Sequence, residues 1–136
     1  MNTLKLTRRY RFSASHRLDT SALSPEENKR LYGKCNNPYG HGHDYVLDVT
    51  VEGPLDSTGQ VADRRALDAL VNEKVLQRLD HKNLSKDVAA LQNVVATTEN
   101  LAAVIRGALA ADWPLKARLA RVRISETDRN IFELEA

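Results

Sequence analysis

His41-Gly42-His43-Asp44-Tyr45-Val46-Leu47-Asp48-Val49-Thr50-Val51-Glu52 is the stretch on which the fold turns. Tyr45, Leu47, Val49 and Val51 alternate with Val46, Asp48, Thr50 and Glu52, the period-2 pattern of a strand, until Gly53-Pro54 stops the run. Positions i and i+2 of an extended backbone share a side, so His41 and His43 project together. Upstream, Leu4, Leu6, Tyr10 and Phe12 alternate with polar residues and predict a first strand ending near Ser13, antiparallel to the second, with His16 just past its end. Delivered from that strand, His16 would complete a three-nitrogen zinc site with His41 and His43, leaving one tetrahedral position open as catalytic zinc does. A lone histidine is more often a satisfied polar residue, so the set carries the signal rather than any one member. Cys35 has two readings: a fourth ligand that closes the site, or an acid/base standing beside it.

Between the two strands, residues 19–42 hold Ser24-Pro25, Gly33, Asn36-Asn37-Pro38 and Gly40, which predicts a long loop rich in turn formers. Downstream, Asp63 caps a helix with apolar positions Leu67, Leu70, Val71, Val75 and Leu79. Thr97 or Thr98 caps another that carries Leu101, Val104, Ile105, Ala108 and Leu109 and ends at Asp112-Trp113-Pro114. Ala120, Val122 and Ile124 then alternate with charged or polar residues, and Ile131 to Leu134 form a last short run. The order β-β-α-α-β-β predicts an α+β fold, a four-stranded antiparallel sheet with two helices on one face. Such a sheet leaves edges that must be covered or paired. Pairing them between subunits would close a barrel.

A chain of 136 residues is the length of one domain, taken here as residues 1–136. Charged residues make up 28% and the formal net charge is +2, which argues against a nucleic-acid tail or a membrane-adhesive stripe. Arg8, Arg9, Arg11, Arg17, Lys29, Arg30 and Lys34 form a local basic bias. It reads either as a solvated face or as a binding region for a small phosphate-bearing anion. The single cysteine cannot form an internal disulfide, and a cytoplasmic location is expected. The N-terminal segment has no apolar leader core, and no run has transmembrane length.

Cys35 sits beside Lys34, and nearby cations or a metal would tune a thiol downward toward a useful general base. Asp80-His81 follows the first long helix, and Glu126 ends a strand. Each alone is more often a cap or a surface turn. A carboxylate at a strand end would nonetheless accept two N–H bonds from a guanidine-like heterocycle edge.

Taken together, Phe12-Ser13-Ala14-Ser15-His16, Cys35-Asn36-Asn37-Pro38-Tyr39-Gly40-His41-Gly42-His43-Asp44-Tyr45, Leu79-Asp80-His81-Lys82-Asn83-Leu84, Thr97-Thr98-Glu99-Asn100-Leu101-Ala102 and Glu126-Thr127-Asp128 resemble the 6-pyruvoyltetrahydropterin synthase family along nearly the whole chain. The resemblance implies a tunnelling fold (T-fold), in which three subunits close a barrel and two trimers stack into a homohexamer. It implies zinc held by His16, His41 and His43, Cys35 as proton acceptor, Asp80 and His81 as a catalytic pair contributed by a neighbouring subunit, Glu126 as anchor of the pterin ring, and Thr98 in the pocket wall. The implied substrate is 7,8-dihydroneopterin triphosphate, converted with loss of triphosphate. A similar relative, 6-carboxytetrahydropterin synthase of queuosine biosynthesis, would also release acetaldehyde. The spacing of Cys35 from His41 looks closer to the pyruvoyl type. A non-catalytic oligomer with a structural Cys-His₃ zinc is the alternative of a different class. Asp44 stands where the family commonly has Asn, and Ala62-Asp63-Arg64 replaces a more apolar stretch.

Overall fold

The computed structural model describes residues 3–136; Met1 and Asn2, which open the segment read above as free of an apolar leader, lie outside them. β1 (Leu4–His16) pairs antiparallel with β2 (His41–Gly53) over all thirteen positions, from Leu4 opposite Gly53 to His16 opposite His41. β3 (Arg118–Ser125) pairs with β2, and β4 (Ile131–Glu135) with β3, giving the order β1-β2-β3-β4. The expectation that β1 ends near Ser13 is corrected. Because β2 begins at His41, the ladder continues to His16, which lies inside the strand.

Alternation decides which side chains meet the helices. Phe12, Ala14 and His16 of β1, Tyr45, Leu47, Val49 and Val51 of β2, and Val122 and Ile124 of β3 are all buried. Their opposite face is polar: Arg9 makes a bidentate bond to Asp48, and the Thr7 and Thr50 hydroxyls lie 2.7 Å apart. Arg8 is also paired, with Asp68, so much of the N-terminal basic bias is occupied within the fold.

Two helical runs cover the apolar face. Asp63 caps α2 (Arg64–Val71) by accepting from the amides of Arg65 and Ala66. The run continues through a π turn, Asn72–Leu76, into a final turn, α3 (Gln77–Leu79). The π turn was not expected, but it has a reason. Leu67, Val71, Val75 and Leu79 step by four, and each step overshoots an α-turn by about 40°. A widened turn absorbs that drift, so all four stay buried. A short turn follows, α4 (Leu84–Asp87), capped by Asn83. α5 (Thr98–Ala110) is capped by Thr97 rather than Thr98, and it buries Leu101, Ala102, Ile105 and Leu109.

The long loop of the sequence reading contains structure. α1 (Pro25–Tyr32) has a full capping box between Ser24 and Glu27, with proline in its first turn, and a 3₁₀ turn, Gly33–Asn36, follows it. Buried Asn28 accepts from the Thr20 amide at 2.9 Å and donates to the carbonyls of Thr20 and Ser24. The observed order is therefore β-α-β-α-α-β-β once the short helix is counted, on the expected four-stranded frame.

Candidate active site

His16 and His41 are opposite one another in the β1–β2 register, and His43 is two residues along β2. All three therefore share the helix-facing side of the sheet. The rings of His16 and His43 are 5.0 Å apart, and those of His41 and His43 are 4.9 Å apart. Gly40 lets the chain enter β2 this close to β1. Its φ is +81°, and a Cβ there would lie 2.6 Å from the His16 carbonyl oxygen, a contact only glycine escapes.

Cys35 is carried in by the 3₁₀ turn, and its Sγ lies 3.7 Å from His43 Nε2. One donor atom each from His16, Cys35 and His43 falls within 4.8 Å of the others. His16 is fully buried, and its Nδ1 is 2.9 Å from the Ala96 carbonyl oxygen. A carbonyl only accepts, so Nδ1 carries the proton and the lone pair is on Nε2. Among the described residues that Nε2 has no hydrogen-bond partner, nor does His41 Nδ1. A buried orphan lone pair beside a second imidazole and a thiol is the donor chemistry that a zinc ion satisfies. The residues fit the metal.

Glu126 continues the alternation of Val122 and Ile124 past the end of β3 and so reaches the same place. Its Oε1 is 3.7 Å from His16 Nε2 and 3.6 Å from His43 Nε2, and it accepts from the Thr98 hydroxyl at 3.0 Å. Burial lowers the His16 pKa, and the neighbouring His43 adds to the shift. Burial likewise lowers that of His43, while Glu126 opposes the change. Neutral imidazoles are the form that binds metal.

The protein's own groups move the Cys35 thiol the other way from what Lys34 led the sequence reading to expect. Burial pushes it above the ordinary thiol value and the Glu126 charge pushes further, while Lys34 points into solvent. Among the described residues, no cation lowers it.

Asp80 and His81 lie elsewhere on the chain's surface. Asp80 Oδ1 accepts from the Ser13 amide at 2.9 Å and is 3.2 Å from His81 Nδ1. The His81 side chain is 82% exposed, and its backbone has φ +61°, an uncommon conformation for a residue with a side chain. The His81 amide donates to the Ser13 carbonyl oxygen at 2.6 Å, which holds that conformation against β1. An open cleft of about 540 Å³ runs past His81, Lys82, Ser15, His43 and Asp44. Asp44, the departure noted in the sequence, accepts from the Ser13 hydroxyl at 2.6 Å.

Two site neighbours were not singled out from sequence. Tyr45 is buried, stacks on Phe12 at 4.9 Å and meets His43 edge-on at 5.7 Å. It keeps the parity of His41 and His43, which was the available signal. Asn36, one of the turn formers of the predicted loop, is 6% exposed. Its amide donates to the Leu18 carbonyl and the Asp19 carboxylate, which no local pattern announces.

Residues 5–136 match the family model described as 6-pyruvoyl tetrahydropterin synthase. The 6-pyruvoyl tetrahydrobiopterin synthase of Poecilia reticulata is 50% identical over 127 residues, covering 93% of this chain and 86% of that protein. The human protein of the same name is 48% identical over 128 residues, covering 93% and 88%. The solved structure of Caenorhabditis elegans 6-pyruvoyl tetrahydropterin synthase superposes with a TM-score of 0.92 at 40% identity, covering 100% of this chain and 97% of that one. With the sheet order, the helices on one face and a family match that spans residues 5–136, this chain belongs to the 6-pyruvoyl tetrahydropterin synthase family, and its fold is the tunnelling fold.

Proposed function

We propose that the chain is a zinc-dependent 6-pyruvoyltetrahydropterin synthase, a carbon–oxygen lyase that converts 7,8-dihydroneopterin triphosphate to 6-pyruvoyltetrahydropterin and triphosphate. One observation carries the reading: the unpartnered lone pair of His16 Nε2 opens into a group that also contains His43, Cys35 and Glu126. His16, His41 and His43 would hold the ion. When bound, zinc supplies Lewis-acid polarisation of the substrate's side-chain oxygens, which acidifies the neighbouring C–H bonds.

The chain's own residues do the rest. Cys35 takes a proton from the substrate side chain, and an Asp80–His81 pair returns one, so that the ring reaches the tetrahydro level as triphosphate leaves. The oxidation change is internal to the substrate and needs no external oxidant. Glu126 receives the N–H edge of the pterin ring, and Thr98 fixes one of its oxygens through the 3.0 Å bond. The exposure of His81 supports a site shared between subunits, as do the two outer strands of the sheet, β1 and β4, in a homohexamer of two stacked trimers.

Mass spectrometry of the products from 7,8-dihydroneopterin triphosphate tests the reading. The expected product is 6-pyruvoyltetrahydropterin with triphosphate. Acetaldehyde with 6-carboxytetrahydropterin would assign the chain to the queuosine-type reaction instead.

Glu126→Gln is expected to weaken binding of pterin analogues by about 1–3 kcal/mol, because the new amide faces one donor with another in a desolvated place. Calorimetry with a non-reacting pterin checks this. Zinc content should be unchanged, and an unaltered affinity would place the ring elsewhere.

A further inference from the structure

The mechanism uses the Cys35 thiol but not what holds it. Cys35 lies on a 3₁₀ turn after the long excursion that leaves β1 at His16, yet the turn is pinned directly to the residues that follow His16. The Leu18 amide donates to the Cys35 carbonyl oxygen at 2.7 Å. The Asn36 side-chain amide donates to the Leu18 carbonyl oxygen at 2.7 Å and to Asp19 Oδ1 at 3.0 Å. Arg17 Nε reaches the Asn36 carbonyl oxygen at 3.3 Å. Asn36 therefore spans both strands of the loop's neck, one residue from the thiol and two to three from His16.

We propose that Asn36, with Asp19 as its second acceptor, is a positioning residue for Cys35: its buried amide fixes the thiol's distance from His43 by locking the 3₁₀ turn to the end of β1. This rests on the reading of Cys35 as the base. A carboxamide suits the role because it supplies two donors from one planar group, and the two acceptors it finds are a main-chain carbonyl and a carboxylate on adjacent residues. The backbone bond from Leu18 alone is a single hinge point. The pair of side-chain bonds turns it into a clamp that resists rotation of the turn about that bond. Displacements of the order of 1 Å at a reacting group cost up to about 10²-fold in rate, so loss of the clamp should show in turnover before it shows in binding.

The test is a mutant cycle on the zinc-loaded protein with 7,8-dihydroneopterin triphosphate. Asn36→Ala is expected to lower kcat about tenfold with KM and zinc stoichiometry unchanged. Asp19→Ala, at an exposed residue that leaves the Leu18 bond in place, should lower kcat about threefold and serves where Asn36→Ala does not fold. Either change, placed in a Cys35→Ala background and read by single-turnover kinetics, should cause no further loss, because a residue acting only through the thiol has nothing left to position. The same fractional loss in both backgrounds would overturn the proposal and make the clamp a general support. Unchanged kcat in both single variants would overturn it too. Full turnover in Cys35→Ala alone is a separate result, which defeats the assignment of the base rather than of its support.

Discussion

Cys35→Ala is expected to lower turnover by at least about 10²-fold while leaving the metal in place, the loss typical of removing a positioned acid/base. The geometry makes this a sharp contrast. Cys35 Sγ lies 3.7 Å from His43 Nε2 and within 4.8 Å of the His16 donor, so it is close enough either to close a tetrahedral site or to stand beside an open one. Three histidine ligands without the thiol still make a complete catalytic zinc site. Zinc is measured by atomic emission and turnover by triphosphate release. If the metal leaves with the sulfur, the thiol is a ligand, and the structural Cys-His₃ alternative is the better account. Serine should not rescue the rate, since its hydroxyl holds its proton far more tightly at neutral pH. Burial and Glu126 already raise the thiol's pKa, so the metal-free protein should alkylate slowly with iodoacetamide.

His16→Ala is expected to abolish metal binding and turnover together. Of the three imidazoles His16 is the one fully buried, and its ring is oriented by the Ala96 carbonyl so that Nε2 alone faces the site. Removing it leaves a two-nitrogen set that competes poorly with water for zinc. It also strands the Ala96 carbonyl, at a cost of about 1–3 kcal/mol, so the variant should melt earlier than the metal-free parent. Zinc content of the folded fraction is the decisive measurement, and a stoichiometric ion there would remove His16 from the ligand set. His41→Ala is the informative companion. His41 is not among the three donors that lie within 4.8 Å of one another, although its Nδ1 is buried without a partner. If His41→Ala keeps its zinc, the ligands are His16, Cys35 and His43.

How far these residues could be read from the chain depended on how local their cause is. Alternation from Tyr45 to Val51 is a short-range pattern, and it placed β2, its partner strand and the shared side of His41 and His43. Asp63 and Thr97 cap their helices through bonds to amides two or three residues ahead, so the helix starts were legible as well. The length of β1 was not, because its last three residues are strand only through pairing with a segment 25 residues downstream. α1 carried a legible signal in Ser24-Pro25-Glu26-Glu27, a capping box, but its eight residues are too few for a periodic stripe and were read as loop. The π turn answers a packing need between α2 and the sheet, which sequence spacing alone does not state. Lys34 as a cation that lowers the Cys35 thiol was misread for a related reason. Lys34 is adjacent in sequence and Glu126 is remote, yet it is the Glu126 charge that acts on the thiol. Glu126 and Thr98 were joined to the histidines only through the family resemblance, since they come from other elements and meet them across the core.

The neck at Leu18 and Cys35 also bears on how such a chain changes its length. The segment beyond it, residues 19–34, has its own capped helix, and Asn28 takes its partners from Thr20 and Ser24 within the same segment. Closing a loop costs little more when the loop grows, because the entropic term rises only with the logarithm of its length. An insertion or deletion out on this excursion therefore changes its outline without transmitting strain past the neck. A single residue gained between Cys35 and His41, by contrast, lies inside the neck, where it would move the thiol against His43, 3.7 Å away.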